Sequence, residues 1–157
     1  NRLVKDLAGH TKEEFLQALK ASFDVLPQDR PVKPASRHSF GMYLDGSWYL
    51  LRAREGSFDA ADRIAALDVS ILQQNVLEPL LRIGDPRTDN RIDFVGGIRG
   101  LGELVKRVDS GIWAVAFSLY PTSMGEVMEV ADAGLIMPPK STWFEPKLRD
   151  GIVVHLI

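Results

Sequence analysis

Near the end of the chain, Met137-Pro138-Pro139-Lys140-Ser141-Thr142-Trp143-Phe144-Glu145-Pro146-Lys147 sets two lysines, two hydroxyls and two aromatic rings among three prolines. Proline fixes φ and removes backbone donors, so a stiff loop is expected here in place of a helix. Lys140, Ser141, Thr142 and Lys147, with Arg149 close behind, are donors suited to a phosphate or carboxylate, to which they would make charge-assisted hydrogen bonds. In the competing reading, Trp143 and Phe144 plug a core and the lysines are simply solvated. A second candidate is Gly96-Gly97, read as lying between a strand and a helix, where bare backbone can approach an anion closely and Arg99 can add its charge. Neither the dinucleotide fingerprint nor the phosphate-loop pattern with its lysine is present, so an ordinary tight turn competes with the anion site.

In the loop Gly84-Asp85-Pro86-Arg87-Thr88-Asp89-Asn90-Arg91 the alternating charges of Asp85, Arg87, Asp89 and Arg91 could bind a ligand or order a domain contact, against the commoner reading of a solvated ion-pair network. His10, His38 and His155 are far apart in the chain and none has metal-ligand spacing with another. His155, within an apolar strand pattern, reads as a hydrogen-bonded core residue, and no metal site or Ser-His-Asp arrangement can be assembled from these positions.

The elements that must position these groups are signalled locally. Thr11-Lys12-Glu13-Glu14 is a capping box opening a helix whose apolar face carries Phe15, Leu16, Leu19 and Phe23, with Pro27 beyond its end. Residues 28–37, interrupted by Pro31 and Pro34, read as an exposed, mobile connection. Phe40, Met42 and Leu44 alternate before Asp45-Gly46, and Trp48-Tyr49-Leu50-Leu51 follows, which predicts a hairpin with a primed turn spanning 40–52. Trp48 and Tyr49 are expected to straddle core and surface. Residues 67–83 form an apolar, helix-periodic stretch that Pro79 should bend or end near Leu77.

After the acidic and basic loop come a short strand over 92–95, the glycine pair, a helix with Leu101, Leu104, Val105 and Val108 on one stripe, and an apolar strand over 113–120 ended by Pro121. Ser123-Met124-Gly125-Glu126 is a second capping box. Met124, Val127, Met128 and Ala131 are taken as its helix's buried stripe, Met137 as packing, and Gly134 as the left-handed cap. Residues 152–157 read as a closing strand. The expected fold is therefore α/β in the mixed α+β sense: a central mixed sheet containing a β-α-β-α passage, parallel between 92–95 and 113–120, plus an antiparallel hairpin.

At 157 residues and 45% hydrophobic, the chain suits one domain with a buried core. Nineteen basic against twenty-one acidic residues give a net charge of −2 without long runs of one sign, which argues against nucleic acid or an anionic membrane as partner. The absence of cysteine excludes disulfides, thiolate metal sites and a cysteine nucleophile. With no apolar stretch long enough to span a bilayer, a cytoplasmic location is expected. The opening Asn1-Arg2-Leu3-Val4-Lys5-Asp6-Leu7 reads like the middle of an element, so 1–157 is expected to be a single domain cut from a longer protein.

The opening segment continued to Ala8-Gly9, the hairpin Gly41-Met42-Tyr43-Leu44 with Trp48-Tyr49, residues 72–83, and Ala131-Asp132-Ala133-Gly134 leading into the proline-framed loop resemble the C-terminal half of the bacterial and archaeal domain-of-unknown-function family 1015. The resemblance implies an N-terminal half bearing an Ala-Asp-Gly-His-His-Arg type of signature, similar to that of ParB and sulfiredoxin-like proteins, some of which phosphorylate free serine. None of that signature occurs in this chain, so the resemblance transfers no catalytic role to it and implies no particular cofactor. Two functional expectations stand side by side. In one, this is the anion- or ligand-binding part of a small-molecule enzyme such as a phosphotransferase, using Lys140, Ser141, Thr142, Lys147, Gly96, Gly97 and Arg99 on a small anionic ligand, with the missing half as its partner. In the other, it is a structural or protein-interaction module packed against that half.

Overall fold

The structure, a computed structural model, describes residues 1–142. In chain order the elements are β1 (Arg2–Val4), α1 (Lys12–Leu19), β2 (Phe23–Gln28), β3 (Ser39–Leu44), β4 (Ser47–Ala53), α2 (Asp68–Leu72) with a π-helical turn Gln73–Leu77, β5 (Ile92–Phe94), a 3₁₀ turn Gly97–Arg99, α3 (Gly100–Asp109), β6 (Val115–Leu119) and α4 (Met124–Asp132). The strands form one six-stranded sheet in the order β2-β4-β3-β6-β1-β5, every neighbouring pair antiparallel. The mixed α+β class matches expectation; the parallel pairing does not occur. β5 and β6 do run in the same direction around α3, but β1 lies between them, Leu3 opposite Asp93 on one side and Ala116 on the other. The passage is thus a split β-α-β whose middle strand comes from the start of the chain.

Because side chains alternate across a strand, the sheet presents two apolar faces. One carries Phe40, Met42, Tyr49, Val115 and Phe117 against Phe15 and Leu19 of α1 and Ile71, Leu72, Val76 and Leu77 of α2 and its extension. The other carries Leu3, Tyr43, Trp48 and Ala116 against Leu104 and Val108 of α3. Trp48 and Tyr49 are both buried, one on each face, in place of the expected straddling of core and surface. Covered on both sides, β3 is buried along its whole length.

Local signals are realised where a short stretch of chain decides the outcome. Thr11 and Glu14 close the capping box, as do Ser123 and Glu126. Asp45 and Gly46 both take positive φ, 47° and 73°, as a type I′ hairpin turn requires. After α4, Gly134 at φ 67° donates to Ala131 and Leu135 to Val130, the paired bonds of a Schellman cap. The helix beginning at α2 passes through its π turn and stops before Pro79.

Three expectations are corrected. Phe23 and Pro27 belong to a strand, β2, in place of the α1 helix and its end; β2 is an edge strand, where the missing Pro27 N–H is tolerated. Met124 and Met128 are 65% and 59% exposed and Ala131 is exposed, while α4 turns Glu126 and Val130 inward. The 28–37 connection is fixed to the sheet: Pro34 is buried, Val32 packs on the α3 face, and the Val32 carbonyl accepts from Ser118 Oγ at 2.7 Å. A Cβ at Gly41 would overlap both Val32 O and Ser118 Oγ, so only glycine lets that connection cross the sheet there. The closing strand expected over 152–157, with His155, lies outside the described residues.

Gly41→Ala is expected to lower stability by about 1–3 kcal/mol through overpacking, read as a lower urea midpoint. An unchanged midpoint would contradict the close approach of residue 32 to the sheet.

Candidate anion-binding cleft

β1 runs against both β5 and β6, so its amino end meets their carboxyl ends. There the sheet gives way to a cleft of about 330 Å³, closed by Val69 of α2, Met124 and Val127 of α4, and the loop 140–142. Lys140, Ser141, Thr142, Gly96 and Gly97, distant in sequence and singled out separately, all line it. Arg99 does not line it; it is exposed on the 3₁₀ turn. Lys147 lies outside the described residues, as do Trp143, Phe144 and Arg149. Gly96 (φ −59°, ψ 142°) and Gly97 need no left-handed backbone; that conformation falls on Gly100, at φ 72°. Space is open where a Cβ of Gly97 would stand, so packing does not require glycine there and Gly97 contributes bare backbone to the cleft.

The residue that sequence reasoning missed is Arg2. It is 7% exposed, and its guanidinium sits 4.6 Å from the ring centroid of Phe94, its cross-strand neighbour on β5. Its nitrogens donate to the Lys140 carbonyl at 2.8 Å and the Asn1 carbonyl at 3.3 Å. Among the described residues no carboxylate forms an ion pair with it. Burial lowers its pKa to about 10, which leaves it a cation at neutral pH. Against that burial stand a cation–π contact of about 2 kcal/mol and the two carbonyls.

Lys140 reaches the same ring, its Nζ 5.7 Å from the Phe94 centroid. Its backbone is left-handed at φ 58°, a strained conformation for a residue with a side chain. Two bonds hold it there: Arg2 on the Lys140 carbonyl, and Thr122 Oγ1 donating to the Ser141 carbonyl at 2.9 Å. The turn is closed by Ser141 N donating to Pro138 O at 3.3 Å. The loop is therefore pinned through its carbonyls, and the Lys140 side chain remains exposed.

Behind the helical walls lies a polar cluster that sequence reasoning also missed. Asp68 of α2 is 8% exposed; one oxygen accepts from His38 N at 2.8 Å and the other has no partner among the described residues. Glu126 of α4 accepts from Ser123 N and Oγ through one oxygen and pairs with Arg37 Nε at 3.0 Å through the other. His38, at φ 61°, turns Nε2 to the Ala66 carbonyl at 3.2 Å, and burial followed by the Arg37 charge lowers its pKa. The cluster joins α2, α4 and the start of β3, and so fixes the cleft walls. An isolated aspartate at the head of an apolar run was its only sequence trace. The 84–91 loop takes the ion-pair reading: Asp85 holds Arg87, Asp89 holds Arg91, and Arg91 also donates to the carbonyls of Leu81 and Arg82. Among the described residues, no group of three or more histidine, cysteine or acidic side chains is placed to hold a metal ion, and no helix is long and apolar enough to cross a membrane.

Fold and cleft together define a mixed α+β protein with an antiparallel six-stranded sheet and a cationic hollow at one end of it. The family model described as "Protein of unknown function (DUF1015)" matches residues 1–70, so the first part of the chain is similar to that family. The match runs from β1 into α2 and does not extend to the proline-framed loop. Neither a curated protein nor a solved structure matches the chain.

Burial, with the nearby Glu126 charge adding to it, raises the Asp68 pKa from 3.8 to about 6. The folded state thus holds this proton more tightly than the unfolded chain. The associated stability is fully present below pH 3.8 and is lost as pH rises through about 6. Asp68→Asn should therefore raise stability at pH 7 by roughly 1–3 kcal/mol, with the advantage shrinking toward pH 4. Thermal unfolding across that range checks it; an equal loss at every pH would contradict the assignment.

Proposed function

We propose that the cleft binds the anionic group of a small molecule, with Arg2 and Lys140 as its cations, Ser141 and Thr142 as hydroxyl donors, and Gly96-Gly97 as the bare backbone beside it. The reading rests above all on Arg2, a buried guanidinium that faces no carboxylate among the described residues. Among the described residues the cleft lining contains no aspartate, glutamate or histidine, so it suits holding and charge stabilisation better than proton transfer. In a phosphotransferase of the kind that the family resemblance raises, this chain would position the phosphate, and the N-terminal half implied by the resemblance would supply the acid–base groups. Exposed apolar side chains, Met124 in the cleft lining, Met128 on the same helix, and Ile136, favour the alternative of an interaction module. That module would lose melting temperature on loop substitution without losing anion affinity.

Calorimetric titration with inorganic phosphate and pyrophosphate separates the two. Arg2→Met is expected to weaken binding at least tenfold, about 1.4 kcal/mol, and Lys140→Ala, at an exposed position, about three- to tenfold with little change in melting temperature. Unchanged affinity in Lys140→Ala, or no binding by the unmodified protein, would overturn the proposal.

A further inference from the structure

A second hollow of about 560 Å³ adjoins the first, and Arg2 and Val69 line both. The loop that closes the first also serves the second: Lys140 to Thr142 face one, while Ile136, Pro138 and Pro139 face the other. Arg2 therefore lies between two adjoining spaces and is bonded to the loop that lines both at the Lys140 carbonyl. The two spaces differ in chemistry. The first carries cations and hydroxyls. The second is lined largely by aliphatic and proline side chains, with Ser70, Gln73, Gln74, the Asp85–Arg87 pair and the shared Arg2 as its polar groups.

From this arrangement we infer that the ligand is bipartite: an anionic group in the first hollow joined to a flat, uncharged heterocycle in the second, as in a nucleoside phosphate. The inference rests on the proposed anion site and adds the class of molecule that carries the anion. Volume alone admits it, since the second hollow lies within the usual range for small-molecule sites. The walls favour a ring over a flexible polar chain. Proline rings from two segments, Pro86 and Pro138-Pro139, offer rigid apolar surface that loses no rotamer freedom on contact. Arg87 has its edge occupied by Asp85, Nε at 3.0 Å and Nη2 at 2.8 Å, which holds the guanidinium plane and keeps its faces available for stacking. Gln74 makes no side-chain hydrogen bond among the described residues, and its amide offers a donor and an acceptor side by side, the pair that a heterocycle edge complements. Gln73, by contrast, is committed to the carbonyls of Ile83 and Gly84.

The test is calorimetry on the whole chain with three probes sharing one anion: inorganic phosphate, ribose 5-phosphate and adenosine monophosphate. Adenosine monophosphate is expected to bind at least tenfold more tightly than ribose 5-phosphate. The double variant Gln74→Ala, Ile136→Ser, at two exposed positions outside the anion hollow, should cut that advantage below threefold and leave phosphate affinity unchanged. Equal affinity for the three probes would overturn the bipartite ligand while leaving the anion site standing. Failure of all three to bind would remove both.

Discussion

A guanidinium buried at the amino end of β1 constrains everything around the cleft. Arg2 cannot be moved to solvent without dislodging β1 from between β5 and β6, because Leu3 and Val4, the next two residues of the strand, are fully buried. Its charge must therefore be accommodated in place. Phe94 supplies a ring and Lys140 a carbonyl, and the proposed anion would add a counter-charge. The same bond to Lys140 brings the proline-framed loop to the sheet, so that the strand order of the fold and the location of the loop become one fact.

That fact explains which features were legible beforehand. Capping at Thr11–Glu14 and Ser123–Glu126, the turn at Asp45-Gly46, the stop before Pro79 and the cap at Gly134 depend on residues a few positions apart, and the sequence contains the whole interaction. The insertion of β1 between β5 and β6 depends on partners about ninety and one hundred and fifteen residues away, which no local pattern encodes. Phe23 fitted a helical stripe as well as a strand, and only pairing with β4 decides between them. On α4, apolar periodicity pointed to Met124 and Met128, whereas the ion pair of Arg37 with Glu126 turns a different arc of the helix inward.

The cleft was partly readable for a related reason. Glycine pairs and proline-framed lysines are conspicuous because their backbone and charge properties are unusual, and five of the residues singled out on that ground meet around one hollow. Arg2 is not conspicuous: an arginine flanked by asparagine and leucine carries no signature of burial. Asp68 and His38 are likewise ordinary in sequence and acquire their character only when α2 packs beside β3. Residues that present chemistry could thus be listed from type and spacing, while those that set its electrostatics had to await the fold.

The central claim is that Arg2 and Lys140, both near the Phe94 ring, attract an anion into the hollow they line. Crystals soaked in tungstate, a heavy tetrahedral oxyanion, test it directly through anomalous scattering. The account predicts a peak within hydrogen-bonding reach of the Arg2 guanidinium and the Lys140 ammonium. A carboxylate of the chain seated on Arg2, with tungstate absent from the cleft, would contradict it.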